Sequence, residues 1–482
     1  MAISLYLLLT LVSIIFLKLF KHSNSQLPPS PPALPIIGNL HQLGELPHQS
    51  LWRLSKKYGP VIFMKLGTVP MIVVSTPDTA RQALRVFDLN CCSRPSLAGI
   101  PLTNYSFHFY CLWKHNRWVS SGSRKLSYNY KDIAFSPFDD YWKEVRKLSV
   151  QELFNIKRVH SIQPIKYEEM RKLMTSFAES ASKKSPVNLS EKLLSLTASV
   201  VCRASFGVSF QDTVLDSERF NELVPEALEI LGSFSASDFY PYVGWILDRF
   251  TGLHKRRERS AQDLDAFCEQ MIDLHLKKNK EDENEDFVDL LMKLEKEEVV
   301  LGQAKFTRNN IKALLINILL AGIDTSAITM TWAMAELSRN PRLMKKVQSE
   351  IREKYGDKEL ISLEETEELE YMKMASRVNV WAIGRDPDAW KDPEEFIPER
   401  FMDNNIDVKG QNFELLPFGS GRRICPAVYM GSKMVEFGLA NLLNRFDWEL
   451  PEGMECEDMK MEEAPGLTIY KKHDLLLVPV KR

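Results

Sequence analysis

The chain has 482 residues, 44% hydrophobic, 26% charged and 10% aromatic, a globular composition that excludes disordered, collagenous and polytopic membrane proteins. Its 62 Lys and Arg nearly balance 64 Asp and Glu, for a net charge of -2, so no cationic excess steers it to nucleic acid. Seven cysteines are too few, and an odd number, for a disulfide framework and point to a reducing compartment, while no His-x-x-x-His pair supports a zincin-type site.

Residues 1–20, MAISLYLLLTLVSIIFLKLF, carry one charge, Lys18, and at 1.5 Å rise per residue can cross most of a hydrocarbon layer of roughly 30 Å. A cleaved signal peptide would need a basic start and a small-x-small site, which are missing, so the stretch reads as a single membrane anchor. Lys18 and Lys21 at its end put the rest of the chain in the cytosol. The sequons at Asn104 and Asn188 then stay unmodified. Residues 21–40 include LPPSPPALPIIGNL, whose prolines hold an extended, stiff spacer. No repeat or low-complexity linker divides the body, 41–482.

Val61–Leu66 and Met71–Ser75 read as a hairpin, and Thr76-Pro77-Asp78 opens a helix reaching Val86. Residues 104–123, NYSFHFYCLWKHNRWVSSGS, have no strong period; Cys111 and His115 there lack further ligands for a metal site. Helical periodicity dominates from Asp139 to about Glu350. Within it Trp142 and Arg146 share a face, where an indole N–H and a guanidinium could grip an anion, although cation–π packing is the commoner use of that spacing. The charged run Lys277–Asp286 reads as a solvated interhelical loop. A long apolar helix over about Asn309–Leu337 contains Ala321-Gly322-Ile323-Asp324-Thr325. Ala321, Gly322 and Thr325 share one face, the small residues leaving room for a flat group and the threonine free to bond back to a carbonyl.

Pro417–Ala427, PFGSGRRICPA, sets Phe418, Gly421, Arg423 and Cys425 in the pattern F-x-x-G-x-R-x-C ahead of a helix over Val428–Phe446. Turned backbone N–H groups, nearby cations and a helix N-terminus favour a thiolate, making Cys425 a candidate iron ligand. Any other cysteine is more simply a small core residue. Leu467–Tyr470 and Leu475–Val478 read as a closing hairpin. The fold class expected is mainly α with small β-sheets.

These motifs, with the apolar N-terminus and the PPSPP segment, resemble the cytochromes P450, specifically the plant microsomal A-type enzymes. The resemblance implies the cytochrome P450 fold behind an N-terminal transmembrane helix in the endoplasmic reticulum, single-pass with its body in the cytosol. It implies haem b (iron protoporphyrin IX) on the axial thiolate of Cys425, beside the ring of Phe418, with Trp142, Arg146 and Arg423 on the propionates. By the same resemblance Ala321 and Gly322 border the haem, and Asp324 and Thr325 deliver protons. The implied activity is a monooxygenase drawing electrons from NADPH-cytochrome P450 reductase and inserting one atom of O₂ into a small hydrophobic plant metabolite.

One expected part is missing. The family places a helix with Glu and Arg spaced E-x-x-R between the oxygen-activation helix and the P-E-R-F segment, here Pro398–Phe401. In this chain Leu369–Met374 passes directly into Ala375-Ser376-Arg377 and on to Gly384-Arg385-Asp386. Glu168–Arg171 and Glu336–Arg339 have the spacing but read as ordinary helix-surface pairs. Arg400 thereby loses its carboxylate partner, worth roughly 3–5 kcal/mol if it is buried, and part of the sheet walling the cavity goes too. Together with 104–123, the gap points to an altered splice or gene product. The rival functions are an inactive P450-like protein and a reductase-independent isomerase or dehydratase, the latter disfavoured by the intact Asp324-Thr325 pair.

Overall fold

The computed structural model describes residues 27–94, 109–110, 121–208, 217–277, 285–377, 383–402, 404 and 406–482. The anchor at 1–20, the Cys111/His115 pair and most of 104–123 lie outside the described residues. What is described is helical with small sheets, as the sequence patterning leads one to expect.

The prolines of the spacer do not run free. Phe63 N–H donates to Pro29 O (2.8 Å), and fully buried Asn39 donates to Pro31 O (3.1 Å) while accepting from Lys65 N–H (2.8 Å). A side-chain amide thus satisfies backbone groups that extended proline leaves open, and the spacer is strapped onto β1. That strand, Val61–Leu66, pairs antiparallel with β2, Val69–Val74, with Val61 opposite Val74.

Asp139 caps α1, Asp140–Leu148, by accepting from Trp142 N–H (2.8 Å). Then come α2, Gln163–Ser182; a short strand β3, Val187–Asn188; and α3, Leu189–Phe206, ended by Gly207. The central helix α4, Arg308–Arg339, starts on a Thr307–Asn310 capping box and is buried along most of its length. Among the described residues it is the one helix long and apolar enough to cross a membrane, but its window is 61% buried inside the protein. It packs on α3 and on α5, Val428–Arg445, the helix after the cysteine loop.

Two expectations fail at long range. The closing hairpin does not form: Tyr470–Lys471 pairs with Glu463–Ala464, and the last strand β5, Leu476–Lys481, lies between β3 and β4, Phe446–Glu449. Its apolar alternation is satisfied by strands distant in sequence rather than by its neighbour. The run 277–286 is not wholly solvated either. Its last residue, Asp286, caps the next helix, is 7% exposed and meets His275 Nε2 at 2.7 Å; 278–284 lie outside the described residues.

Candidate active site

A cavity of about 840 Å³ opens between the middle of α4 and the cysteine loop, lined by Ala321, Gly322 and Thr325 on one side and Phe418, Arg423 and Cys425 on the other, with Arg146 at one end. Ala321 is exposed within an otherwise buried helix because its face opens on this space. Gly322 has a second constraint besides lining this space: a Cβ there would come 3.0 Å from Val201 Cγ2 of α3, so its small size also permits helix contact. Thr325 Oγ1 donates to Ala321 O at 2.8 Å, and α4 continues unbroken. Asp324 stands behind the lining and not in it. Burial raises its pKa, opposed by the Thr468 hydroxyl that donates to Oδ2. Thr468 lines the cavity, so it links Asp324 to that space across 144 residues of sequence, beyond any local signal.

Across the cavity, Cys425 N–H donates to Phe418 O at 2.9 Å, closing the loop. Gly421 has φ +66°, and a Cβ there would lie 2.6 Å from Leu84 O, so only glycine fits this turn. An ion pair between Arg422 and Asp88 fastens the loop beside it. Burial still raises the Cys425 pKa, against the lowering influence of Ala427 N–H and Arg146. The loop therefore supplies an N–H donor and a nearby cation that reduce the cost of a thiolate, and a metal cation held there would reduce it further. Cys91 and Cys92 also line the cavity. Burial and then Asp88 push both thiols up, Cys91 to about 11, while Arg423, a backbone hydrogen bond and Arg422 oppose the rise at Cys92.

The basic corner differs from the expected grip. Trp142 is 2% exposed and lies behind the lining, its indole N–H donating to Ile133 O at 2.9 Å. Arg423 covers it and donates to Cys92 O (2.7 Å), Ile133 O (3.2 Å) and Ser136 O (2.6 Å). Arg146 donates to Ile424 O. The sequence reading missed Arg94, which lines the cavity and depresses the pKa of both Arg146 and Arg423. For Arg423, burial first and then Arg94 bring it to about 9. Arg146 and Arg423 make no ion pair among the described residues. Arg146 and Arg423, both half-buried, favour an anion in the cavity they line. A haem fits this donor set: the Cys425 thiol would hold its iron and the guanidiniums would pair with its carboxylates.

The cavity continues to Lys373, Ser376, Arg377 and Arg400. The segment expected to become the E-x-x-R helix is only Glu370–Ala375. Among the described residues Arg400 makes no ion pair; it donates to Ile397 O, Asp392 O and Glu395 O, lies 5.6 Å from the centroid of Trp390, and feels the carboxylates of Asp392 and Glu395, which oppose the lowering of its pKa by burial. Those carbonyls replace much of the lost pairing, so the expected penalty of an isolated charge is reduced, although Nη1 is buried without a partner. Glu336 is not a surface pair with Arg339. It lines this extension, and burial raises its pKa. Nor do Glu168 and Arg171 pair; they bind Arg203 and Glu359.

The cytochrome P450 family profile matches residues 28–98, 102–376 and 377–478. The last two stretches abut at Ser376 and Arg377, the junction that opens on the cavity. Cytochrome P450 71B35 of Arabidopsis thaliana is 62% identical over 497 residues, covering 96% of this chain and 95% of that protein. Cytochrome P450 71B10 of the same plant is 62% identical over 515 residues, 98% of each. Cytochrome P450 71B36, also from this plant, aligns over 520 residues at 57% identity, with all 482 residues of this chain included, so about 38 positions face no residue here. The shared profile, the near-complete coverage and a cavity joining the cysteine loop to the A-G-I-D-T helix agree, and the chain belongs to the cytochrome P450 family of monooxygenases.

Proposed function

We propose that the chain is a membrane-anchored haem-thiolate monooxygenase that inserts one oxygen atom from O₂ into a small hydrophobic plant metabolite, with electrons from NADPH-cytochrome P450 reductase. The observation that carries this reading is one cavity lined by Cys425, by Ala321 and Thr325, and by Arg94, Arg146 and Arg423, with Arg146 bonded to the cysteine loop at Ile424 O. Haem b, when bound, supplies thiolate-ligated iron, whose electron-rich axial ligand favours O–O cleavage. Cys425 holds the metal, Phe418 packs beside it, and Arg94, Arg146 and Arg423 hold the propionates, with Trp142 supporting Arg423 from behind. Thr325 presents its hydroxyl to the cavity, and Asp324 exchanges protons through Thr468. The cavity's mainly apolar walls suit a hydrophobic substrate.

The organisation that accompanies this reading is an anchor at 1–20, a hinge at 21–40 and a catalytic body from 41 to 482 on the cytosolic face of the endoplasmic reticulum. Its structural support is an exposed apolar ridge, with Tyr242 68%, Trp245 52% and Phe250 85% exposed, next to spacer residues Leu34 and Ile36, also exposed. Tyr240 OH donates to Ile36 O, which brings ridge and spacer together. An aromatic surface of this kind sits in a lipid interface, so membrane lipid is the partner it fits.

The extension at Ser376–Arg377 favours a second reading: a P450-like protein whose haem pocket lost a wall along with its activity. Reconstitution of the full chain with haem, reductase and NADPH separates the two. Substrate-dependent O₂ and NADPH consumption that Thr325→Val slows without altering the haem spectrum supports the monooxygenase. A haem-loaded chain that consumes neither supports the second reading.

A further inference from the structure

Asn317 stands on α4 one turn before Ala321, and both line the cavity. Its side-chain oxygen accepts from the N–H groups of Ile133 (3.2 Å) and Ala134 (3.1 Å), and its amide donates to Asp132 Oδ2 (3.0 Å). Asp132 Oδ1 in turn accepts from Phe135 N–H (3.0 Å) and Ser136 N–H (3.1 Å). Residues 132–136 form neither helix nor strand, so these two side chains satisfy N–H groups that a regular element would otherwise pair.

The carbonyls of the same stretch serve the basic corner. Ile133 O accepts from the Trp142 indole (2.9 Å) and from Arg423 (3.2 Å), and Ser136 O accepts from Arg423 (2.6 Å). The peptide joining Ile133 to Ala134 is trans and planar, so its N–H and C=O point in opposite directions from one rigid plate. Asn317 holds the N–H edge of that plate, and Trp142 and Arg423 are bonded to its C=O edge. A tilt at the first edge moves the acceptor at the second.

We propose, on the haem reading of this cavity, that Asn317 is a positioning residue. Through the Ile133–Ala134 peptide it fixes where Arg423 presents its guanidinium to the cofactor's carboxylates, without touching them itself. Asn317→Leu, similar in size, leaves two N–H groups and Asp132 Oδ2 without their partner, and the plate must turn to reach others. General loosening of the fold would speed haem loss whatever stands at position 423; a positioning role would do so only while Arg423 is there to be placed.

A double-mutant cycle on the haem-reconstituted full-length chain, read as haem transfer to apomyoglobin, separates the two. Asn317→Leu is expected to speed haem loss about tenfold in the parent and less than about twofold in the Arg423→Ala background. Asn317→Asp, which keeps the acceptor oxygen but sets a second carboxylate against Asp132, carries the same comparison should Asn317→Leu not fold. The same acceleration in both backgrounds, or parental retention in the Asn317 variants, would overturn the positioning role alone. A parent chain that takes up no haem would overturn the haem reading and this role with it.

Discussion

The guanidinium of Arg423 lies 4.1 Å from the centre of the Trp142 ring, and both side chains donate to one acceptor, the carbonyl of Ile133. A stacked Trp–Arg pair is rigid, so its donors are already oriented when an anion arrives. Arg423→Ala removes a cavity cation and uncovers the indole. The expected cost is about 2–3 kcal/mol of haem affinity, roughly 30- to 150-fold, read as haem transfer to apomyoglobin. Trp142→Phe, which keeps the ring but loses the N–H, costs about 1 kcal/mol. Equal retention in both variants and the parent would refute the pair's role.

Asp132 gives a pH dependence of stability. It is fully buried and accepts from Phe135 N–H (3.0 Å), Ser136 N–H (3.1 Å) and Asn317 (3.0 Å). Burial outweighs these bonds and raises its pKa to about 6. A raised carboxyl binds its proton more tightly in the folded chain than in the unfolded one. Stability is therefore greatest below the unfolded value near 4 and falls as pH rises through about 6. Relative to Asp132→Asn, the parent is expected to lose about 3 kcal/mol between pH 4 and pH 7 in urea midpoints. A constant difference, or one of opposite sign, would contradict this.

The Ser376–Arg377 junction yields a gain-of-stability prediction. Inserting the segment that a relative carries between the positions matching Ser376 and Arg377 fills the cavity extension beside Arg400 and Glu336. A carboxylate reaching Arg400 is expected to add about 3 kcal/mol or more and to increase haem retention. Unchanged thermal midpoint and retention would mean that the carbonyls of Asp392, Glu395 and Ile397 already suffice.

Much of this was legible from the sequence, and the limits have physical causes. The F-x-x-G-x-R-x-C loop, the capped helix around Thr325 and the hairpin at Val61–Val74 depend on neighbours within a few residues, so local pattern located them. Thr468 beside Asp324 and the pairing of Leu476–Leu477 with Val187–Asn188 depend on contacts across more than a hundred residues. Arg94 had no spacing to mark it, because its significance is electrostatic and arises only where Arg146 and Arg423 converge. Gly322 lines the cavity as its motif position suggested, and its tight approach to Val201 of α3 is a second reason for its small size that only the packed helices reveal.

The membrane ridge makes a separate prediction. In a chain beginning at Leu27, the double substitution Trp245→Ser and Phe250→Ser removes two large exposed aromatic rings. Its partition into phosphatidylcholine vesicles is expected to fall at least about tenfold, since each ring contributes on the order of 1–2 kcal/mol at an interface. Unchanged partition would remove the ridge from the membrane account.

The most direct test of the thiolate assignment is the difference spectrum of the reduced, haem-reconstituted chain with and without carbon monoxide. Ligation by Cys425 gives the long-wavelength Soret band of a thiolate-bound haem, and Cys425→Ser abolishes it while leaving Cys91→Ser and Cys92→Ser unaffected. A chain that takes up no haem, or a Soret band of the histidine-ligated type that survives Cys425→Ser, would contradict the assignment.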